Sequence, residues 1–165
     1  MVPVLPASAR IAALVLLLGP VSEGRAGASQ YALDQAAAII PPGEARQLRR
    51  AGVRTTADFL TWGRTAEGRR LLAERAGVSL AQITAWVCLA DLMRVPGIGP
   101  DVARLLTAAR VRSLAELRAA DAGATAAAIV AANRRAHLSQ NPPGAASIAY
   151  WVQLAASLPI LIVLD

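Results

Sequence analysis

The sequence predicts an all-α fold in which two copies of one helical unit make a single compact domain. Three observations predict it. The 165-residue chain is 55% hydrophobic but only 4% aromatic, and alanine and leucine, the residues that cost least in a helix interior, dominate it. β-branched runs, which favour strands, are scarce. The chain also repeats itself. A shift of 58 residues lays Ile40–Ala57 on Ile98–Ala115 with nine of eighteen positions identical. A shift of 65 lays Ile83, Trp86, Val87, Leu89 and Ala90 on Ile148, Trp151, Val152, Leu154 and Ala155. The difference between the shifts places a seven-residue insertion in the second copy, within Ala119–Gln140. Eight or nine short helices and no sheet are expected.

Residues 1–28 have the order of a secretory signal: Arg10, the apolar run Ile11–Leu18, the breaker Gly19-Pro20, and the small-x-small site Ala26-Gly27-Ala28. The run falls short of the roughly 20 residues needed to span a bilayer. The expectation is cleavage after Ala28 and a periplasmic or secreted protein. If the start site is placed too early, the protein is cytoplasmic; an uncleaved anchor is the other reading. All 17 basic residues are arginine, and the net charge of +6 becomes +5 once the segment is removed. Such a charge permits an anionic partner without requiring one.

The first unit is assigned to residues 29–92. Its reversal, Ile39-Ile40-Pro41-Pro42, lacks glycine, and neither proline has an N–H to donate. A helix is expected over Thr65–Ala76, ended by Gly77 in a left-handed conformation. Ser79-Leu80-Ala81-Gln82 has capping-box spacing and opens a helix over Ser79–Leu92. That helix has two apolar stripes, one of Leu80, Ile83, Val87 and Ala90, the other of Ala81, Ala85, Cys88 and Leu92. A helix apolar nearly all round is a central one, so Cys88, the single cysteine, reads as a core thiol.

The second unit, 93–165, opens on Val95-Pro96-Gly97-Ile98-Gly99-Pro100. Gly97 and Gly99 allow a tight reversal with close backbone approach. Ile98 between them is a core anchor, and Pro100 suits the first turn of the next helix. Val102, Leu105, Leu106 and Ala109 form a buried stripe, and Ala103 is small where two helices cross. The peptide N–H groups of the turn lie at the positive end of a helix dipole, which suits an anion. Ser113-Leu114-Ala115-Glu116 repeats the capping spacing. The apolar tail after Pro159 is expected to pack on the core as coil.

This arrangement over Leu92–Leu106 resembles the helix-hairpin-helix motif of bacterial DNA ligases, Holliday-junction proteins and base-excision glycosylases. Over Tyr31–Pro159 the chain looks like an uncharacterised bacterial family of two such units, in which a Trp-Val-x-x-Ala-Asp-Leu helix follows the first, as at Trp86–Leu92, and a Trp-Val-x-x-Ala helix ends the second, as at Trp151–Ala155. The resemblance implies a phosphate contact at Gly97 and Gly99, assisted by Arg104. Arg94 beside the turn is a further candidate. One departure stands out: Asp101 occupies a position where those relatives usually carry a basic or neutral residue. At i, i+3 spacing it can pair with Arg104.

Ile98, Ala103, Leu106, Trp86 and Trp151 read as hairpin and core residues, and Trp62 is left open. No catalytic constellation is visible. His137 has no obvious partner, one His and one Cys at unrelated spacing do not make a metal site, and no cofactor is implied. Two functions remain. The first is an exported, non-catalytic interaction module meeting a protein or envelope component. The second is sequence-independent DNA binding through the Gly97-Ile98-Gly99 amides and Arg104.

Overall fold

Polar side chains cap most of the helices, and the others open at Pro41, Gly99 and Gly144. A computed structural model describes residues 31–162, so the signal segment expected at 1–28 and the end of the tail lie outside the described residues. Within them there are eight helices: α1 Pro42–Arg50, α2 Thr56–Gly63, α3 Ala66–Ala76, α4 Leu80–Leu92, α5 Pro100–Ala108, α6 Leu114–Arg118, α7 Ala122–Ala136 and α8 Ala145–Ser157. Strand structure among them is limited to one bridge, Ala32 to Thr55. Ser79 and Ser113 cap α4 and α6 by accepting from the amides of Gln82 and Glu116, and Gly77 ends α3 at φ +67°. Thr55 and Asp58 close a reciprocal box at the start of α2, each satisfying an amide that the helix leaves without a partner.

Positions 58 residues apart share their hydrogen bonds as well as their side chains. Ala45 N–H donates to the Pro41 carbonyl, and Ala103 N–H to that of Gly99. Val53 N–H reaches back to Leu48, and Val111 N–H to Leu106. Arg54 and Arg112 donate their amides to Asp58 and Glu116. Ile40, Ala45, Leu48 and Val53 are buried, as are Ile98, Ala103, Leu106 and Val111. After α1 the left-handed residue is Gly52, at φ +92°; after α5 it is Arg110, at φ +67°, a conformation strained for any residue with a Cβ.

The extra length of the second half has two sources. α7 has 15 residues where α3 has 11. The next helix is capped two residues after Gly77 in the first half, but only at Gly144 after the left-handed His137 in the second.

Helix packing follows a similar plan in both halves, except that α2 also lies on α3 whereas α6 does not lie on α7. α1 lies on α3, and α2 and α3 lie on α4; α5 lies on α7, and α6 and α7 lie on α8. α4 also packs against α5 and α6, so it closes the first half and forms one arm of the reversal that opens the second. Its burial is uneven, contrary to the all-round burial that its two apolar stripes suggest. Leu80 is 42% exposed and Ala81 and Ala85 are exposed, whereas Trp86, Val87, Cys88, Ala90, Asp91 and Leu92 are buried. One face of the first turns of α4 stays exposed, while Ile83 and the later turns enter the core. There the Cys88 thiol is raised above its ordinary pKa, first by burial and then by the Asp91 carboxylate, which keeps it a protonated core group.

The corner between α2 and α3 is built on two glycines and an arginine. A Cβ on Gly63 would collide with Val87 of α4, and one on Gly68 with the Trp62 carbonyl. Arg69, only 4% exposed, donates to the carbonyls of Gly63 and Arg64, groups left without acceptor roles where α2 ends. Trp62 itself is partly buried against the core.

Candidate functional site

The reversal between α4 and α5 is held by three short backbone bonds: Arg94 to Asp91, Val95 to Leu92, and Ile98 to Val95. Ile98 is fully buried, as are Ala103 and Leu106 beyond it. Gly97 adopts φ +90° and is exposed. Gly99, extended at φ −91° and ψ −179°, precedes Pro100 at the start of α5. Among the described residues no acceptor meets the N–H groups of Gly97, Gly99, Asp101 or Val102. Four backbone donors therefore collect on one turn, at the positive end of a nine-residue helix. The matching reversal of the first half places Pro41 and Pro42 where Gly99 and Pro100 stand, and a buried Ile39 where Gly97 stands.

Two aromatic side chains flank the glycines. A Cβ on Gly97 would stand 2.9 Å from Nε1 of Trp151, and one on Gly99 would stand 3.3 Å from the Tyr31 hydroxyl. Tyr31 comes from the other half. Its N–H donates to the Thr56 hydroxyl and its carbonyl accepts from the Thr56 N–H, so its position is set by the start of α2. Sequence reading missed this neighbour, because no local pattern joins residues 68 positions apart. Trp151 and Trp86 are core residues, 7% and 6% exposed.

The arginines separate. Arg104 is exposed on α5. No ion pair joins it to Asp101 among the described residues, so the pairing allowed by their spacing is not formed. Asp101, also exposed, places a negative charge without an ion-pair partner among the described residues in the first turn. Arg94, a further anion-binding candidate, is already engaged in an ion pair. Its guanidinium lies 2.6 Å from the Asp91 carboxylate, with the two side chains 11% and 4% exposed, and it donates to the Pro159 carbonyl at 3.0 Å. Arg118 donates to the carbonyls of Ala155 and Leu158. Two arginines and a buried carboxylate thus fasten the end of α8 and the tail, whose Ile162 is buried while Ile160 and Leu161 remain exposed.

A groove of about 360 Å³ runs between the end of α5 and α7, lined by alanines with Arg110 and Arg135. Among the described residues no three His, Cys, Asp or Glu side chains gather to hold a metal. Nor is any helix there long and apolar enough to cross a membrane.

The two glycines differ in what they tolerate. Gly52 and Gly97 share a positive φ, but nothing lies within 4 Å of a Cβ on Gly52. Gly52→Ala is expected to cost about 1 kcal/mol of unfolding free energy from strain alone. Gly97→Ala should cost roughly 2–3 kcal/mol, because the buried Trp151 must also give way. Urea denaturation of both variants measures the difference, and equal losses would mean that the turn does not rest on the indole.

The fold and turn together define an all-helical protein with a cluster of open backbone donors on one glycine reversal. In comparison with family models, residues 39–158 match a domain of unknown function, DUF4332. The match covers most of the chain, and the protein belongs to that family. Neither the curated proteins nor the solved structures gave a match.

Proposed function

We propose that the protein is a non-catalytic binding module of the tandem helix-hairpin-helix type, and that its second hairpin takes hold of backbone phosphates of a nucleic-acid duplex without reading sequence. The observation that carries this reading is the set of four acceptor-free N–H groups at Gly97, Gly99, Asp101 and Val102, with exposed Arg104 one helical step further on. Backbone amides at a helix N-terminus suit a phosphate oxygen and carry no base information. The first hairpin, where Pro41 replaces one of those donors and the Ile39 N–H is taken by the Ala36 carbonyl, serves as scaffold; the hydrogen bonds shared at 58-residue spacing support its descent from the same unit. A non-catalytic role fits the two side chains with shifted pKa values, Cys88 and Asp91. Both are shifted chiefly by burial, and one packs in the core while the other is ion-paired.

Fluorescence anisotropy on a labelled duplex tests the reading. Binding is expected at low salt, weakening with a log–log slope of about −1 to −2 for one or two phosphate contacts. Asp101→Lys should tighten it and Gly99→Val should abolish it. Absence of binding at low ionic strength would leave the alternative, a helical interaction module whose partner is a protein or envelope component.

Export is part of the proposal, since residues 1–28 have the order of a signal peptide. A reporter active only outside the cytoplasm, fused after residue 35, should be active. An inactive fusion would return the protein to the cytoplasm.

A further inference from the structure

Trp151 combines two properties that seldom go together. It is 7% exposed, yet among the described residues no acceptor meets its indole N–H. A buried donor left unpaired is costly, and buried Trp N–H groups usually find a partner. No fully buried side-chain nitrogen or oxygen of the described residues is without a hydrogen bond, so the Trp151 Nε1–H has to open on solvent. The opening lies at the turn, because the nearest atom to a Cβ on Gly97 would be Nε1 itself, at 2.9 Å. Glycine at 97 leaves uncovered what any other residue would cover. Ile39, at the matching position of the first half, is itself buried.

We propose that the Trp151 indole N–H is a ligand-binding donor of the second hairpin, contacting the same oxyanion as the peptide N–H groups of Gly97 and Gly99. The inference rests on the hairpin reading above and adds a side chain from α8 to it. Both kinds of group only donate, so the site selects an oxygen acceptor with no proton to offer. One phosphate oxygen, on free phosphate or on a duplex backbone, has that chemistry. The indole also limits the ligand's size at this point, because its ring forms the floor beneath Gly97. The carboxylate of Asp101 on the first turn of α5 disfavours a ligand with several charges close together.

The full chain labelled with ¹⁵N gives the decisive measurement. Its three indole N–H resonances, from Trp62, Trp86 and Trp151, are followed together with the amides of Gly97 and Gly99 while inorganic phosphate, and separately a short duplex, is added. The expected result is a shift of the Trp151 indole signal in step with the two glycine amides, with Trp86 unmoved. Movement with the duplex alone identifies a backbone phosphate, and movement with inorganic phosphate alone a free one; either upholds the role of the indole. Glycine amides that shift beside an unmoved Trp151 indole would overturn this inference and leave the hairpin reading standing. If neither set moves, both fail. Trp151→Phe keeps a ring in the core and should weaken binding roughly tenfold, the worth of one hydrogen bond to a charged group. Unchanged affinity in a folded Trp151→Phe protein would also overturn the proposal.

Discussion

Gly68→Ala is expected to destabilise the protein by about 3 kcal/mol or more, although a helix ordinarily gains 0.5–1 kcal/mol from that exchange, roughly the intrinsic preference of Ala over Gly. The reversal of sign comes from position. Gly68 sits in the first turn of α3, where its N–H donates to the capping Thr65 hydroxyl. A methyl group there would enter the space of the Trp62 carbonyl oxygen. That obstacle is backbone, so no side-chain rotation relieves it; the corner between α2 and α3 has to open. Opening it would pull the buried Arg69 from the carbonyls of Gly63 and Arg64 and lift α2 from Val87. Against a typical total of about 5–15 kcal/mol the loss is severe. Urea denaturation followed by circular dichroism measures it, and a midpoint equal to or above wild type would show that the corner is not held by this glycine.

Asp91→Ala is expected to cost roughly 3–5 kcal/mol at neutral pH, the usual penalty for removing one partner of a buried ion pair. Asp91 lies in the last turn of α4, where a negative charge is unwelcome to the helix dipole, and burial raises its carboxyl above the ordinary value while Arg94 pulls it down. The charge is tolerable because the Arg94 guanidinium is 2.6 Å away. Without Asp91 the guanidinium keeps only the Pro159 carbonyl. Replacing both, Asp91→Leu with Arg94→Met, should recover most of the stability, because an apolar pair of similar volume avoids desolvating either charge.

The pH dependence carries a distinctive sign. A carboxyl whose folded pKa is raised binds its proton more tightly in the native state. Its influence therefore lowers stability as pH rises from the unfolded value of about 3.9 through the raised native value, and is constant above. Asp91→Asn should lose that slope. A thermal unfolding series across acid pH compares the two proteins, and parallel curves would mean that Asp91 titrates as it does in the unfolded chain.

Local features were legible in the sequence, and distant ones were not. The caps at Ser79 and Ser113 and the left-handed Gly77 depend on residues within a few positions of one another, so composition and spacing reveal them. Ile98, Ala103, Leu106, Trp86 and Trp151 were readable as core because they fall on apolar stripes or recur at a fixed spacing in the sequence. The engagement of Arg94 was not legible, because its partners are a carboxylate that looks like a surface residue in sequence and a carbonyl 65 positions away. The buried Arg69 gave no sign at all: it sits in an arginine-rich run and is distinguished only by the carbonyls that the corner turns toward it. Apolar periodicity showed that α4 could be buried all round, but not how far its neighbours reach, and the exposed Leu80 is the difference. Tyr31 over Gly99 and the Trp151 nitrogen under Gly97 are tertiary facts of the same kind.

α4 serves both halves of the molecule, and this governs how the molecule comes apart. Loss of the second half would bare Leu92 and the inner side of α4; loss of the first would strip α4 of α2 and α3 and leave one arm of the glycine turn without its backing. Because the halves share α4, unfolding of one is expected to be coupled to unfolding of the other. The α4 arm of the turn is thereby tied to both halves, so loss of either one disturbs the spacing of the open N–H groups.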